Sequence, residues 1–301
     1  MERRSVVVFG SSGRIGRAAA KALREAGCRV ETVSWLDKST GAARPRQQIL
    51  AELGAVEGAA DIVFASGLTD PSTSAGDLAL ANVERPVGII EATIVRTQLR
   101  YLTIGSVLET FSSLTASNRY LASKAALWAR IERLAADPRL HGRIAHLRGH
   151  TVYSGGAPAP HSFLGQMYES LHTRRPFRMS EGQQLREYAH VDDVARSIAA
   201  LLARPWAGPV AIDLSTGEPV RLSELARAVF RAFDCEQLLQ LGALSTPVGE
   251  NMSAKFPRSP DWLLGRPRPA IEGIVQWFSE LLAHSGDRDH AFRRIATDPP
   301  A

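Results

Sequence analysis

Short apolar runs alternate with helical segments along this chain, and the alternation indicates an α/β protein. The run 5–9, Ser-Val-Val-Val-Phe, is continuously apolar and mostly β-branched, as in a parallel strand buried on both faces. The alanine-rich segment 17–26 is helical in character, and Gly27 suits its C-terminal cap. Further strands are predicted at 29–33, 61–67 with its loop, 99–104, 143–148 and 211–214, and further helices at 49–60, 82–96, 119–134, 161–175, 222–233 and 271–282.

A glycine-rich turn joins the first predicted strand to the first predicted helix. Gly10 permits a tight turn, Gly13 lets backbone approach a pyrophosphate, and Gly16 lets the helix pack close to the sheet. The helix N-terminus would present free N–H groups and the positive end of its dipole to phosphates. A strand, a glycine turn and a helix in this order predict nucleotide binding. The predicted contacts are Gly10, Ser12, Gly13, Arg14, Ile15 and Gly16.

The predicted helix 119–134 carries a tyrosine and a lysine four residues apart, Tyr120 and Lys124. This separation places them on one helix face, about one turn apart. A nearby ammonium favours phenolate, so we expect Lys124 to lower the pKa of Tyr120 from about 10 toward the working pH. Such a group suits proton transfer to or from a carbonyl or alcohol oxygen. The alternative is a solvated helix face.

Composition narrows the class of protein. The net charge is +5, but the basic residues are scattered and not interleaved with aromatic residues, so no nucleic-acid partner is expected. Cys28 and Cys235 have no metal-binding spacing, and they suit a reducing compartment. No run approaches the roughly 18 apolar residues of a membrane span, and the N-terminus does not have the form of a signal peptide. These features predict a cytoplasmic protein with no membrane partner and no metal.

The Gly-x-x-Gly-x-x-Gly turn together with Tyr-x-x-x-Lys resembles the short-chain dehydrogenase/reductase superfamily. The segment 186–195, Arg-Glu-Tyr-Ala-His-Val-Asp-Asp-Val-Ala, resembles the Arg-Asp-Phe-x-His-Val-x-Asp-Val-Ala segment of its extended branch, the NAD(P)-dependent epimerase/dehydratase family of nucleotide-sugar enzymes. Leu-Gly-Arg-Pro at 264–267 is similar to the Leu-Gly-Trp-x-Pro that precedes that family's final helix. The resemblance covers residues 5–283.

The resemblance implies a doubly wound parallel sheet, Rossmann-like, with a smaller substrate-binding lobe. The nucleotide-binding domain would comprise 1–152 and 188–215. The substrate-binding lobe would comprise 153–187 and 216–284, and 285–301 would form a flexible tail. A nucleotide-sugar substrate is implied, and a homodimer is compatible with this organisation.

Cofactor choice depends on the end of the second strand. NAD-specific members of the superfamily usually carry an acidic residue there, but this chain has Ser34. With Arg14 and Lys38 nearby, a neutral residue favours the 2′-phosphate of NADP(H). The alternative is NAD(H), with Asp37 binding the ribose and both cations solvated. The resemblance adds cofactor contacts from Ala65, Ser66, Gly67, Tyr120, Lys124, His150 and Thr151.

The resemblance also assigns the chemistry. Ser106 occupies the place of the catalytic serine, with Tyr120 as proton donor and Lys124 bound to the nicotinamide ribose. The dehydratases carry two carboxylates immediately after this position, whereas Val107 and Leu108 follow here, so dehydration is not expected.

Substrate contacts are expected from two basic residues. Arg186 corresponds to an arginine that reaches the substrate diphosphate, because a planar donor fork suits two phosphate oxygens. The family's second diphosphate arginine has no clear counterpart here, and Lys255 or Arg258 lies nearest its place. His190 is expected to hold the lobes together, and Asp192 or Asp193 to cap the following helix.

Three functions fit these residues. The first is NADPH-dependent reduction of a keto group on a nucleotide-linked sugar, as in deoxysugar 4-ketoreductases. The second is a nucleotide-sugar epimerase with tightly bound NAD, which would use the same Ser106, Tyr120 and Lys124. The third is a non-catalytic nucleotide sensor, which would not need to keep Tyr120 and Lys124.

Overall fold

The computed structural model describes residues 5–37, 39–56, 60–246, 252 and 255–284. Its centre is a parallel sheet of six strands in the order β2–β1–β3–β4–β5–β10. The predicted parallel, Rossmann-like sheet is therefore confirmed. The strands are β1 Ser5–Phe9, β2 Arg29–Val33, β3 Ala60–Phe64, β4 Leu99–Ser106, β5 Ile144–Gly149, β6 Thr151–Tyr153, β7 Phe177–Arg178, β8 Leu185–Arg186, β9 Tyr188–His190, β10 Ala211–Leu214, β11 Val220–Arg221 and β12 Leu239–Gln240.

Helices cover both faces of the sheet. The side chains of β1 alternate between the faces, so Val7 and Phe9 pack against α2, α4 and α6, while Val6 and Val8 pack against α1 and α8. Burial on both sides explains why the run 5–9 is apolar at nearly every position. The helices are α1 Arg14–Glu25, α2 Arg46–Gly54, α3 Ala75–Ala79, α4 Arg85–Thr93, α5 Ser112–Ser117, α6 Arg119–Ala135, α7 Phe163–Thr173, α8 Val191–Leu202, α9 Leu222–Ala232, α10 Asp261–Leu264 and α11 Ala270–His284.

A second hydrophobic core lies outside the sheet. It is built by α7, α9 and α11, with Met167, Phe230 and Phe278 fully buried at its centre. The two-residue strand pairs β7–β12 and β8–β11 contribute to this smaller lobe. A separate core supports the expected substrate-binding lobe, and the domain boundaries given above stay a prediction.

Two sequence-based assignments of local structure are wrong. A helix was predicted at 82–96, but the helical region begins earlier: α3 starts at Ala75, after Ser74 accepts a hydrogen bond from the Asp77 N–H. Asn82 lies within a π-helical turn, Leu80–Glu84, that joins α3 to α4. The N-cap of α8 is His190, not Asp192 or Asp193, because its Nδ1 accepts from the Asp192 N–H at 3.1 Å.

The predicted helices at 17–26 and 49–60 also begin earlier, at the first residues of α1 and α2. Between β2 and α2 the only pairing among the described residues is a single antiparallel bridge between Leu36 and Ala43. Among the described residues the sheet therefore ends at β2.

The order of strands predicts where a ligand would bind, at the carboxyl ends of the central strands. The winding reverses at β1, which lies between β2 and β3, and ligands of such sheets bind at the carboxyl ends of the strands beside this point. The turn after β1, the loop after β3, Ser106 at the end of β4 and His150 after β5 all lie at that edge.

Candidate functional site

The glycine turn after β1 has no room for side chains at its two ends. Gly10 has φ +83°, and a Cβ there would lie 2.6 Å from the Ser66 backbone. A Cβ on Gly16 would lie 2.1 Å from the Gly10 carbonyl oxygen. Helix α1 has Gly13 as its N-cap, so it has no side-chain cap, and its first turn contains no acidic residue. An uncapped N-terminus beside a close-packed backbone fits the pyrophosphate of a dinucleotide.

The side chain of Trp35, which follows β2, packs next to this turn. The Trp35 ring stacks on Phe9, with 4.5 Å between ring centroids, and its Nε1 donates to the Ser66 hydroxyl at 2.7 Å. Trp35 therefore crosses the carboxyl ends of β1 and β3. The sequence analysis gave Trp35 no role, because an isolated tryptophan after a strand carries no positional signal.

The carboxylate considered as the alternative ribose ligand is engaged in its own turn. Asp37 Oδ1 accepts hydrogen bonds from the backbone N–H groups of Ser39 and Thr40, both at 2.9 Å, and from their hydroxyl groups. These bonds hold the pKa of Asp37 well below its usual range. Lys38 lies outside the described residues.

A cation that the sequence analysis missed lies beside Ser34. Arg44 donates to the Ser34 carbonyl oxygen at 3.0 Å and also binds the Glu52 carboxylate. It comes from the irregular segment before α2, ten residues along the chain, and only the tertiary path of that segment brings it to β2.

Arg14 points away from that position. Its guanidinium donates to the carbonyl oxygens of Val152, at 3.3 Å, and Ala157, at 2.8 Å, and lies 5.5 Å from the centroid of the Trp277 ring. Burial lowers the pKa of Arg14, with a further contribution from Arg17. The predicted contact between Arg14 and a 2′-phosphate stays a prediction, and it requires these bonds to be exchanged.

Lys124 and Tyr120 lie on the face of α6 that meets β4. Lys124 Nζ donates to the Ile104 carbonyl oxygen at 2.9 Å and lies 5.9 Å from the centroid of the Tyr120 ring. Lys124 is 7 % exposed, and Tyr120 is half-buried. No hydrogen bond to the Tyr120 hydroxyl exists within the described residues. The helix also starts with a cap from Asn118, whose Oδ1 accepts from the Leu121 N–H at 3.1 Å.

The expectation that Lys124 lowers the pKa of Tyr120 is wrong in this structure. Burial raises the pKa of Tyr120 to about 12, and the charge of Glu109 adds to the effect. Burial lowers the pKa of Lys124 to about 8, against an opposing contribution from Glu109. Desolvation therefore outweighs the attraction between ammonium and phenolate, and Tyr120 keeps its proton at neutral pH.

Ser106 is held by a buried carboxylate that the sequence analysis did not identify. Ser106 caps the 3₁₀ turn Val107–Thr110, and its N–H donates to Glu109 Oε2 at 2.9 Å. Glu109 Oε1 lies 2.9 Å from His146 Nε2, and His146 Nδ1 lies 2.7 Å from the Thr103 hydroxyl. Nothing in the local sequence signals Glu109, because its partner His146 comes from the next strand, β5.

Asn82 ties the loop after β3 to α6. Its side chain exchanges two hydrogen bonds with the Leu68 backbone, at 2.8 and 2.9 Å, and donates to the Ser123 hydroxyl at 2.8 Å. A Cβ on Gly67 would lie 2.6 Å from Asn82 Oδ1. Asn82 thus has a structural role, and Ala65 and Ser66 pass beside Gly10 of the glycine turn. The cofactor contacts of Ala65, Ser66 and Gly67 stay predictions.

His150 is buried at the exit of β5. Its side chain is 7 % exposed, its Nε2 lies 3.6 Å from Glu187 Oε2, and its ring meets the Phe256 ring edge-on at 5.0 Å. Burial lowers the pKa of His150, so the ring is neutral at pH 7. Thr151 is exposed. Cofactor contacts from His150 and Thr151 stay predictions.

The predicted phosphate ligands differ in their surroundings. Arg186 is half-buried on β8, donates to the Leu185 carbonyl oxygen at 2.7 Å and has its pKa lowered by burial. Lys255 is exposed. Arg258 is engaged with the carbonyl oxygens of Thr216, at 3.3 Å, and Gly265, at 2.7 Å, so it supports the lobe and is a poor phosphate ligand.

His190 joins the two lobes, as expected. Its Nε2 lies 2.8 Å from a guanidinium nitrogen of Arg268, and Arg268 also donates its backbone N–H to Asp193 at 2.9 Å. The ring meets Tyr153 edge-on at 5.2 Å. With both nitrogens engaged, His190 has no free group for catalysis.

Two features can be stated for the described part of the chain. None of its groups of three or more His, Cys, Asp or Glu side chains could hold a metal ion. None of its helices combines the length and the apolar character needed to cross a membrane.

The chain belongs to the NAD dependent epimerase/dehydratase family, whose sequence model matches residues 6–215. No curated protein sequence matches the chain. Among solved structures it is similar to MoeE5 in complex with UDP-glucose and NAD, with 20% identity, a TM-score of 0.73, and coverage of 93% of this chain and 99% of MoeE5.

Two further similar structures illustrate the range of the fold. The UDP-N-acetylglucosamine 4-epimerase from Methanobrevibacter ruminantium M1 has 14% identity, a TM-score of 0.73, and coverage of 94% of this chain and 99% of the epimerase. TunA, an NAD dependent-NDP-hexosamine 5,6-dehydratase involved in tunicamycin biosynthesis, has 15% identity, a TM-score of 0.71, and coverage of 92% and 98%. At these identities the likeness establishes the fold alone.

Proposed function

We propose that this chain reduces a keto group on a nucleotide-linked sugar, in particular a 4-keto-6-deoxy sugar, using NADPH. The observation that carries the proposal is the placement of Tyr120 beside Lys124, which is itself bound to the strand that ends at Ser106. With its pKa raised to about 12 and no partner for its hydroxyl among the described residues, Tyr120 presents a proton throughout the neutral range. Reduction of a carbonyl needs a proton donor at the oxygen, whereas oxidation needs a base.

The other residues act around that proton. NADPH, when bound, supplies hydride to the carbonyl carbon. Tyr120 delivers its proton to the carbonyl oxygen, and the Ser106 hydroxyl donates a hydrogen bond that holds this oxygen in line. Ser106 Oγ accepts from the Leu108 N–H at 3.3 Å, so its own proton remains for the substrate. Lys124 stabilises the tyrosinate that donation leaves behind, and it binds the nicotinamide ribose.

The preference for NADPH is supported at the end of β2. Ser34 stands where a carboxylate would repel a 2′-phosphate, and the Arg44 guanidinium is bound to the Ser34 carbonyl oxygen. One oxygen of the competing carboxylate, Asp37 Oδ1, is engaged by four hydrogen bonds within its own turn. Arg186 and Lys255 are proposed to bind the substrate diphosphate.

An epimerase with tightly bound NAD is the second candidate, favoured by the similarity to the UDP-N-acetylglucosamine 4-epimerase structure. It would use Ser106, Tyr120 and Lys124, but Tyr120 would first have to accept a proton. A tyrosine with a raised pKa stays protonated at neutral pH, so the ionised form that an epimerase needs as its first proton acceptor is rare.

The test has two parts. The purified chain is denatured, and released NAD(H) and NADP(H) are measured; a reductase leaves little of either, and stoichiometric NAD identifies an epimerase. The chain is then incubated with NADPH and a panel of 4-keto-6-deoxy nucleotide sugars, with Tyr120→Phe as control. Reduction of at least one sugar that depends on Tyr120 supports the proposal. No reduction across the panel, together with interconversion of unmodified nucleotide sugars, overturns it.

A further inference from the structure

Beneath the proposed catalytic residues lies a buried polar relay formed by Thr103, His146 and Glu109. His146 and Thr103 have no exposed surface, and the Glu109 side chain is 1 % exposed. The relay runs between the strands β4 and β5 and ends at Ser106. Buried polar groups of this kind are expensive unless all are satisfied, so their hydrogen bonds determine what the relay can do.

The direction of the hydrogen bonds follows from the charge of His146. Burial holds the pKa of His146 below its usual range, so the ring is neutral. A neutral ring facing a carboxylate must donate from Nε2 to Glu109 Oε1, and Nδ1 is then left to accept from the Thr103 hydroxyl. Glu109 consequently accepts one N–H from His146 and one from Ser106.

The side chains of His146 and Glu109 are closely packed against their neighbours. A Cβ on Gly105 would lie 2.1 Å from His146 Nε2 and 2.8 Å from Glu109 Oε2, so only glycine fits between Ile104 and Ser106. The Trp128 ring of α6 covers the His146 ring at 5.3 Å between centroids. Neither carboxylate oxygen of Glu109 is left to act on a substrate.

The charged groups near the relay affect the pKa values of His146, Lys124 and Tyr120. From α6, the Lys124 ammonium faces the charge of Glu109 and lowers the pKa of His146. From β5, Arg148 also lowers the pKa of His146, but its guanidinium is paired with Asp213 of β10 at 2.6 Å. Glu109 is thus the negative charge that acts on both Lys124 and Tyr120.

We propose that Glu109 is a positioning residue of this active site: bound by His146, it fixes the Ser106 backbone and places a buried negative charge at the end of β4 to which Lys124 is also bound. The inference rests on the proposed function, because Ser106, Tyr120 and Lys124 are the residues to which that function assigns the chemistry. A negative charge favours a protonated amine and disfavours a phenolate, so both effects have the same sign.

The lysines of the chain allow a direct test. They are Lys21, Lys38, Lys124 and Lys255, so ¹³C-lysine NMR gives few signals, and Lys124→Met assigns the buried one. We expect Lys124 to titrate near pH 8 in the wild type. Glu109→Gln retains an oxygen for the Ser106 N–H, and its NH₂ can donate to His146 when the ring takes the tautomer that accepts at Nε2. In this variant we expect the Lys124 titration to fall by roughly one pH unit.

The matched control is Asp61→Asn. Asp61 is a buried carboxylate that pairs with Arg100 at 2.6 Å across β3 and β4, at the opposite edge of the sheet. Its loss should leave the Lys124 titration unchanged. If the titration is the same in Glu109→Gln and wild type, or falls equally in Asp61→Asn, the proposal is overturned.

A second variant separates charge from position. Glu109→Asp keeps the charge but shortens the side chain, so the Lys124 titration should stay near the wild-type value while kcat falls at least tenfold because Ser106 is displaced. Unchanged kcat in Glu109→Asp would refute the positioning role.

A measurement on the wild type keeps the test decisive if Glu109→Gln does not fold. The ring ¹⁵N signals of His146, assigned by their loss in His146→Gln, should be those of a neutral ring protonated at Nε2, and a ring protonated at Nδ1 would refute the bond that holds Glu109. These signals do not require turnover. A wild type that reduces no nucleotide sugar would therefore refute the proposed function while the titrations still decide the role of Glu109.

Discussion

Lys124 Nζ donates a hydrogen bond to the carbonyl oxygen of Ile104, 2.9 Å away. This single bond ties the helix that carries Tyr120 to the strand that ends at Ser106. It also explains how a lysine that is 7 % exposed can be accommodated, since a buried ammonium needs an acceptor. The bond satisfies only part of that need, so the ammonium remains poorly solvated and easily deprotonated.

Replacing Tyr120 by phenylalanine should remove the proton donor and little else. Positioned proton transfer contributes roughly 10²–10⁴-fold, so kcat for reduction should fall by about that factor. Cofactor affinity should change little, because the proposed phosphate site lies at Gly10–Gly16. Single-turnover reduction and a cofactor titration measure the two effects. Wild-type turnover by this variant would show that Tyr120 is not the donor.

The rate of reduction by the wild type should fall as pH rises through about 8. The group that titrates there is Lys124, whereas Tyr120, with its pKa raised to about 12, stays protonated. Loss of the ammonium leaves the tyrosinate formed during reduction without a stabilising charge. The measurement is kcat across pH, with the Lys124 titration measured by NMR alongside. A rate that stays constant to pH 10 would contradict this assignment.

Lys124→Met should abolish efficient turnover but stabilise the fold. The folded-state pKa of about 8 lies below the ordinary 10.5, so burial of the charged lysine destabilises the protein by roughly 3 kcal/mol at most. Removing the charge should recover that free energy of unfolding below pH 8. The folded state binds fewer protons than the unfolded state between pH 8 and 10.5, so the gain should shrink over that range and vanish above it.

Urea unfolding at several pH values measures this difference. Lys21→Met is the control, because Lys21 is 75% exposed on α1 and its charge is already solvated. A gain in stability that does not depend on pH would point to improved packing and not to the charge.

Ser34→Asp should reverse the cofactor preference. A carboxylate at this position repels a 2′-phosphate and can accept hydrogen bonds from the ribose hydroxyls of NAD(H). We expect the wild type to bind NADPH at least several-fold more tightly than NADH and the variant to prefer NADH. Thr32→Asp adds the same charge at an exposed site on β2 and should leave the preference unchanged. Equal affinities in the wild type would contradict the NADPH assignment.

Arg186→Ala should raise KM with a smaller effect on kcat. A diphosphate contact exists in the ground state and in the transition state alike, so its loss weakens binding uniformly. Arg186→Lys should be intermediate, because it keeps the charge and loses the planar fork. Arg221→Ala, on the paired strand β11, serves as control and should leave KM unchanged. A large loss of kcat at unchanged KM would remove Arg186 from the phosphate site.

Much of the fold follows from local sequence. The apolar run 5–9, the glycine turn and the helix around Tyr120 each have a period or a fixed conformation that neighbouring residues impose, so their types and approximate positions are correct. The boundaries of α1, α2 and α3 are less well determined, because caps such as Ser74 compete with weak local preferences. The parallel order of the strands then follows from the rules that govern βαβ connections.

The pKa values and charge pairs of the site could not be predicted from local sequence. The spacing of Tyr120 and Lys124 in the sequence implied attraction between ammonium and phenolate, but the pKa values of both depend on how far each is removed from water. Glu109 meets His146 because β4 and β5 lie side by side, and Arg44 meets Ser34 because an irregular segment folds back on β2. The sequence determined which groups are present and on which elements, whereas tertiary packing decided which charges meet and how much solvent they retain, since desolvation and Coulomb interactions depend on distances in space.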